Sequence, residues 1–263
     1  MDIFDDTIRN IKQWFLQKEK ETNISKFYAP VSAGKSRAAS EALNRADAKT
    51  TIILKEDTRL ELGHPSKGSC YANLPTRDPA LVENGRITLA GPDIPDIKTE
   101  TAPFAQITLA CCKSNVRDIS VKMDRYLHTS VQHDGYMVRS MPNLIWSRIS
   151  KKAAHSGFSL YELGARLIEA LNFEFQDISG AEIFFVTSSR EYISELNEIV
   201  EPARQSLQKL LKFELADDET YECTASLDCD VCPERPVCDS IRDVIKIRKG
   251  DRVISFGAEA GNE

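Results

Sequence analysis

The sequence has no apolar run long enough to cross a bilayer, which excludes a helical membrane span. It also lacks a basic excess. Acidic residues outnumber basic ones, 40 to 34, for a net charge of −6 and a pI near 5.4. That balance excludes the overall positive footprint of a nucleic-acid-binding chain. The opening stretch MDIFDDTIRNIKQWF is acidic and amphipathic rather than basic and then apolar, so it does not read as a secretory signal. Internal repeats and low-complexity segments are missing as well. Seven cysteines, an odd number, fit a reducing compartment better than a disulfide framework. A cytoplasmic, globular protein with neither membrane nor nucleic-acid partners is expected. With 41% hydrophobic and 28% charged residues over 263 positions, the chain can build one large domain and an appendage.

Four of the seven cysteines crowd into one segment. Cys223, Cys229, Cys232 and Cys238 follow the spacing C-x5-C-x2-C-x5-C. A C-x2-C pair bends two sulfurs onto one centre, and the outer thiols lie one short loop away on either side. Pro233 and Pro236 stiffen the loop and reduce the entropy lost on fixing ligands. Three readings compete. An iron–sulfur cluster takes four thiolates from such a compact run, with a proline after one of them. Structural zinc also takes four thiolates, more often from two separated C-x2-C knuckles. Disulfides or free thiols are the third. The other cysteines read as small hydrophobes: Cys111 and Cys112 within the apolar run QITLACC, and Cys70 in a Gly/Ser/Pro-rich loop.

Elsewhere the periodicities alternate between helix and strand. Ile3, Phe4, Ile8, Ile11, Trp14 and Phe15 recur at helical steps over residues 2–20. Gly34-Lys35-Ser36 resembles the end of a phosphate-binding loop, but Ala29 stands where the full pattern needs glycine, so triphosphate binding is not expected. Strands are expected at Thr50–Leu54, Ile87–Ala90, Gln106–Cys112 and Glu182–Thr187. Helices are expected over 115–130, 159–175 and 189–212, the last kinked or divided at Pro202. Residues 133–143 read as an irregular connector. Val244–Arg248 and Arg252–Phe256 flank Lys249-Gly250-Asp251 as a hairpin.

One basic region stands out against the acidic background. Arg139, Arg148, Lys151 and Lys152 gather around Trp146, one of only two tryptophans, with His155 close by. An aromatic face beside arginines suits an adenine ring and phosphates, as in coenzyme A. The competing interpretation is a solvated helix start with Trp146 in the core.

Two stretches carry a family likeness. VENGRITLAGPDI at 82–94 and WSRISKKAAHSGF at 146–158 resemble segments of the middle domain of acetyl-CoA synthase, the β subunit of the carbon monoxide dehydrogenase/acetyl-CoA synthase complex. The helix at 160–175, the strand at 182–187 and a cysteine-rich region follow in that family's order, so the resemblance covers about residues 50–240.

The resemblance implies an α+β fold, a mixed sheet with packed helices and a small C-terminal cysteine-rich metal-binding appendage. The division expected is residues 1–215 for the acetyl-CoA-synthase-like domain and 216–263 for the iron–sulfur region with its hairpin. It also implies coenzyme A binding through Arg139, Trp146, Arg148 and Lys151, and it favours a 4Fe–4S cluster over zinc at Cys223, Cys229, Cys232 and Cys238. The expected setting is a complex with partner subunits in anaerobic one-carbon or acyl-CoA metabolism.

Departures from the family bound the chemistry. The gaps between cysteines differ from the family's, and Cys229–Cys232 is the pair that matches it best. No cysteine follows Cys238, and the family's nickel-chelating Cys-Gly-Cys does not occur. Nickel is therefore not expected from this chain alone. Any CO-methylating acyltransferase activity would need nickel ligands from a partner. A zinc-stapled protein-interaction domain is the remaining alternative.

Overall fold

The computed structural model describes residues 3–29, 53–113, 135–141 and 144–211, together with the single positions 116, 119, 122 and 123. The four clustered cysteines, the Gly34-Lys35-Ser36 stretch and the C-terminal hairpin lie outside the described residues. The chain divides into Met1–Leu211 and Lys212–Glu263, and all that follows concerns the first unit.

The first helix, α1 (Ile3–Lys18), forms where the apolar stripe predicted it. Phe4, Ile8, Ile11, Trp14 and Phe15 are buried, while Ile3 and Leu16 stay exposed. Asp5 and Asp6 in its first turn and Lys18 in its last suit the helix dipole. The longest helix among the described residues, over 190–211, runs on through Pro202 instead of dividing there. Its buried Ile193, Leu196, Val200 and Ala203 keep one face packed despite the hydrogen bond that proline cannot donate. The two helices are tied together where Trp14 Nε1 donates to Glu195 and Lys18 pairs with the same carboxylate at 3.2 Å.

Among the described residues, nine strands make two sheets. They are β1 (Ile24–Tyr28), β2 (Thr58–Leu62), β3 (Ser69–Thr76), β4 (Arg86–Ala90), β5 (Thr101–Ala102), β6 (Phe104–Cys112), β7 (Tyr136–Met141), β8 (Leu144–Ser150) and β9 (Ile178–Val186). The helices after β8 are α2 (Lys151–His155), α3 (Leu160–Glu174) and α4 (Arg190–Leu211). The larger sheet runs β1-β4-β9-β6-β3 and mixes parallel with antiparallel pairs. The smaller runs β5-β2-β8-β7. The α+β class with mixed sheets and packed helices, expected from the resemblance, is what the fold shows.

Alternation along β4 and β9 assigns the two faces of the larger sheet. Phe184 packs at a tilt against Phe15 of α1 with ring centroids 4.6 Å apart, and Glu182 pairs with Lys12 at 3.1 Å. On the other face Ile87 lies under Gly164 of α3. A Cβ on that glycine would come within 3.0 Å of the isoleucine, so the helix sits as low as it does because no side chain intervenes. Helices therefore cover both faces, which is why β6 and most of β9 are buried throughout.

Glu182 is fully buried and still satisfied. It accepts from the Glu83 amide and the Arg86 Nε, both at 2.8 Å, and it pairs with Lys12. For Arg86, burial works against the charge, but the Glu182 and Glu83 carboxylates outweigh it and hold the guanidinium above its ordinary value. One carboxylate thus links α1, β4 and β9.

The GPDI motif is a clamp of the same kind. Asp93 Oδ1 accepts from its neighbour Ile94 N and from Leu160 N, the first residue of α3, both at 2.7 Å. Thr187 Oγ1 donates to Pro92 O at 2.6 Å. Gly91 has φ +114°, and a Cβ there would meet Ser188 N at 2.7 Å, so only glycine fits against the end of β9.

Three sequence expectations need correction. Cys70 is not in a loop; it is fully buried in β3. The stretch 133–143 is not an irregular connector, because residues 136–141 form β7. Ile53 and Leu54 have no regular structure where a strand over Thr50–Leu54 was expected; the rest of that stretch lies outside the described residues. β3 escaped notice because Asn73, Pro75 and Thr76 break its pattern. As an edge strand it tolerates a proline that donates no ladder bond.

Candidate functional site

β8 alternates strictly. Ile145, Ser147 and Ile149 are buried, while Trp146 and Arg148 share the opposite, partly exposed face. The underside is fixed by Tyr136, whose hydroxyl meets that of Ser147 at 2.9 Å. Burial pushes the Tyr136 phenol up to about 12, with the Ser147 contact opposing. Ser69 Oγ donates to the Ile145 carbonyl and accepts from its amide, stitching β8 to β3 of the larger sheet.

On the outer face the Arg148 guanidinium lies over the Trp146 ring, 4.7 Å from its centroid. Its Nε donates to Glu61 Oε1 at 2.9 Å and Nη1 to Ile53 O at 3.1 Å. Glu61 stands directly opposite Arg148 in the β2–β8 register, and Arg139 stands opposite Trp146 in the β7–β8 register. Among the described residues, two of the five guanidinium N–H groups are engaged. A guanidinium held over an indole by a carboxylate costs little further ordering when it meets a phosphate.

Lys151 begins α2 at the end of β8. Its backbone amide donates to Asp57 O at 2.8 Å and its Nζ to Glu56 O at 2.6 Å. Ser150 caps this helix by accepting from Ala153 N. Gly135, with φ +85°, allows the close approach; a Cβ there would fall 2.5 Å from that of Ala153. Phe158 is buried against Tyr136, ring centroids 5.9 Å apart. In the stretch WSRISKKAAHSGF, Ser150, Ala153 and Phe158 are therefore structural, whereas Trp146, Arg148 and Lys151 face outward.

The structure thus brings Trp146, Arg148 and the Arg139 backbone position together, with Lys151 directly after the end of β8. Trp146 sits neither in the core nor at a helix start. Glu61, Glu56 and Ile53 went unseen in the sequence, because they lie 87 to 95 positions from the residues they hold and follow no motif.

The thiols within the described residues behave as small hydrophobes. Cys70, Cys111 and Cys112 are buried. Burial pushes the Cys70 thiol up to about 11, although the neighbouring Arg204 guanidinium opposes it. Among the described residues, no group of three or more His, Cys, Asp or Glu side chains could hold a metal ion. No helix there is long and apolar enough to cross a membrane.

Comparison with known proteins places this geometry. Residues 48–192 match the family described as CO dehydrogenase/acetyl-CoA synthase complex beta subunit. The segment includes both sheets except β1, together with α2 and α3. Over 175 residues the chain is 26% identical to the acetyl-CoA decarbonylase/synthase complex subunit beta of Methanopyrus kandleri, covering 62% of this chain and 38% of that protein. Over 180 residues it is 26% identical to the protein of the same name from Methanothermobacter thermautotrophicus, covering 67% and 37%. The chain thus spans under two-fifths of the length of these relatives. With more than half of its residues matched, the chain belongs to the CO dehydrogenase/acetyl-CoA synthase complex beta subunit family.

Proposed function

We propose that the chain is an acetyl-CoA-synthase-like iron–sulfur subunit that binds coenzyme A and works with partner subunits in anaerobic one-carbon or acyl-CoA metabolism. The observation that carries the coenzyme half is the Arg148 guanidinium over the Trp146 ring, oriented there by Glu61 and the Ile53 carbonyl. An indole face and a preorganised guanidinium suit an adenine ring and its phosphates. Arg139 stands across from Trp146 in the strand register, and Lys151 follows directly on the end of the strand.

The cluster half rests on donor chemistry. Cys223, Cys229, Cys232 and Cys238 would supply four thiolates from one short segment, the set a 4Fe–4S cluster takes. Such a cluster would supply one-electron chemistry or an architectural clasp. On the outer face of β8, Trp146 and Arg148 would bind and orient the thioester carrier. Complex membership follows the relatives' description as complex subunits.

Titration calorimetry with coenzyme A tests the site. Saturable binding is expected, and Arg148→Ala should weaken it by about 1–3 kcal/mol, the scale of a charge-assisted contact. Unchanged affinity in a variant that stays folded would move the site elsewhere.

A further inference from the structure

The larger sheet ends in two edge strands, β3 and β1, and only one of them is closed. At β3 the edge carbonyls are covered from α4. Asn197 Nδ2 donates to Ser69 O at 3.0 Å, and the Arg204 guanidinium donates to Tyr71 O at 2.9 Å. β3 is buried along its whole length. β1 is not: Lys26 and Tyr28 are exposed and its other residues half-buried. α1 packs toward β3 and α4, at the far side of the sheet, and leaves the β1 edge open.

The ladder between β1 and β4 shows which backbone groups the open edge presents. Ala29 N donates to Gly85 O and Gly91 N to Asn23 O, at its two ends. Alternate residues of an antiparallel strand face the same neighbour. Ser25 and Phe27 therefore bond to β4, and Ile24, Lys26 and Tyr28 turn their N–H and C=O groups outward. The Tyr28 carbonyl is taken, accepting from the Tyr161 hydroxyl at 3.4 Å. The outward groups of Ile24 and Lys26 make no bond among the described residues. The register is regular over all five pairs, with neither the bulge nor the proline that blunts an edge. Lys26 is the one charged residue on the strand, and its ammonium is already paired with Glu19. Two well-exposed apolar side chains flank the strand: Tyr28 at 58%, and Leu16 of α1 at 62%, which lines the same cavity as Lys26.

We propose that β1 pairs antiparallel with β1 of a second copy of this chain, joining two larger sheets across a two-fold axis. Such an interface must be self-complementary, and an antiparallel pair of identical strands is. The open groups select the register. Ile24 of each copy exchanges both bonds with Lys26 of the other, and Ser25 meets its counterpart on the axis. Sliding the strands until Lys26 faces Lys26 would set like charges opposite each other and call on the Tyr28 carbonyl that Tyr161 holds. The seam is short, so a weak dimer is expected, dissociating on the order of 10–100 μM. This inference does not rest on the coenzyme reading, which concerns the smaller sheet.

The test is sedimentation velocity of the full chain across that concentration range. The mass should climb from one chain, 29.5 kDa, toward two. Lys26→Pro removes an outward N–H and leaves the β1–β4 ladder intact, so it should weaken the dimer at least about tenfold without lowering the melting temperature markedly. Lys26→Ala keeps the N–H and should still dimerise. Residues that meet on the axis between hydrogen-bonded pairs have Cα atoms about 4.5 Å apart, within disulfide reach. Ser25→Cys should therefore cross-link two chains through the introduced thiols on mild oxidation, mapped by mass spectrometry. Lys26→Cys, two residues off register, should not. A chain that stays monomeric throughout overturns the proposal. So does a dimer that survives Lys26→Pro, or one that Ser25→Cys fails to cross-link at that position. A markedly lowered melting temperature in Lys26→Pro would also overturn it, since that N–H would then belong to the ladder with β4.

Discussion

Glu182→Ala is the sharpest perturbation of the scaffold. The carboxylate is fully buried, and its removal takes the acceptor from the Glu83 amide and the partner from the Lys12 ammonium, and leaves the Arg86 guanidinium only its half-exposed partner Glu83. Removing one member of a buried ion pair typically costs about 3–5 kcal/mol. Here the two cations keep 17% and 23% side-chain exposure, so water can reach them after truncation and the lower end applies, about 3 kcal/mol. For a domain of this size each kcal/mol moves the melting temperature by roughly 2–4 °C, so a fall of about 6–12 °C is expected. Scanning calorimetry and urea unfolding would measure it. Glu83→Ala is the control. It removes a 44% exposed carboxylate from the same guanidinium and should cost under about 1 kcal/mol. Replacing Lys12, Arg86 and Glu182 together by methionine should recover most of the loss, because no buried charge is then left unpaired. A Glu182→Ala protein as stable as Glu83→Ala would refute the argument that this carboxylate joins α1, β4 and β9.

The clamp at Asp93 makes a paired prediction. Asp93→Ala leaves the Ile94 and Leu160 amides without their acceptor and should lower stability by about 1–2 kcal/mol in urea titration, whereas Asp93→Asn keeps an acceptor oxygen and should cost far less. Alkaline pH provides another test. The Cys70 thiol is raised by burial to about 11 from 9.0, and the Tyr136 phenol to about 12 from 10.0. Both groups ionise earlier in the unfolded chain, so stability is present below pH 9 and is lost as pH climbs toward 12. Two pKa units each correspond to about 3 kcal/mol per group. Tyr136→Phe should flatten the decline above pH 10 in calorimetric scans, while costing about 1 kcal/mol at neutral pH through the orphaned Ser147 hydroxyl.

What could be read from the sequence were the elements with strong internal periodicity. The stripe from Phe4 to Phe15, the run Gln106–Cys112 and the helix after Ser159 all formed within a few residues of expectation. β3 and β7 could not be read because neither carries a period of its own. β3 is buried along its whole length and interrupted by Pro75, and β7 follows a glycine needed for its contact with Ala153. The candidate site was half legible. Trp146 and Arg148 are two positions apart, so a strand puts them on one face, but a helical reading of the same stretch would not have. The partners that orient Arg148 lie on β2 and the segment before it, and no local pattern announces them. GPDI was recognisable as a motif, yet its role became visible only when α3, 67 residues on, met Asp93.

The central claim is that four thiols of one segment hold an iron–sulfur cluster in a subunit of this family. Metal analysis of the full chain purified without oxygen addresses it directly. A brown protein with about four irons per chain, lost when Cys229 and Cys232 are replaced by serine, is the expected result. A colourless protein carrying one zinc per chain and no iron would contradict it.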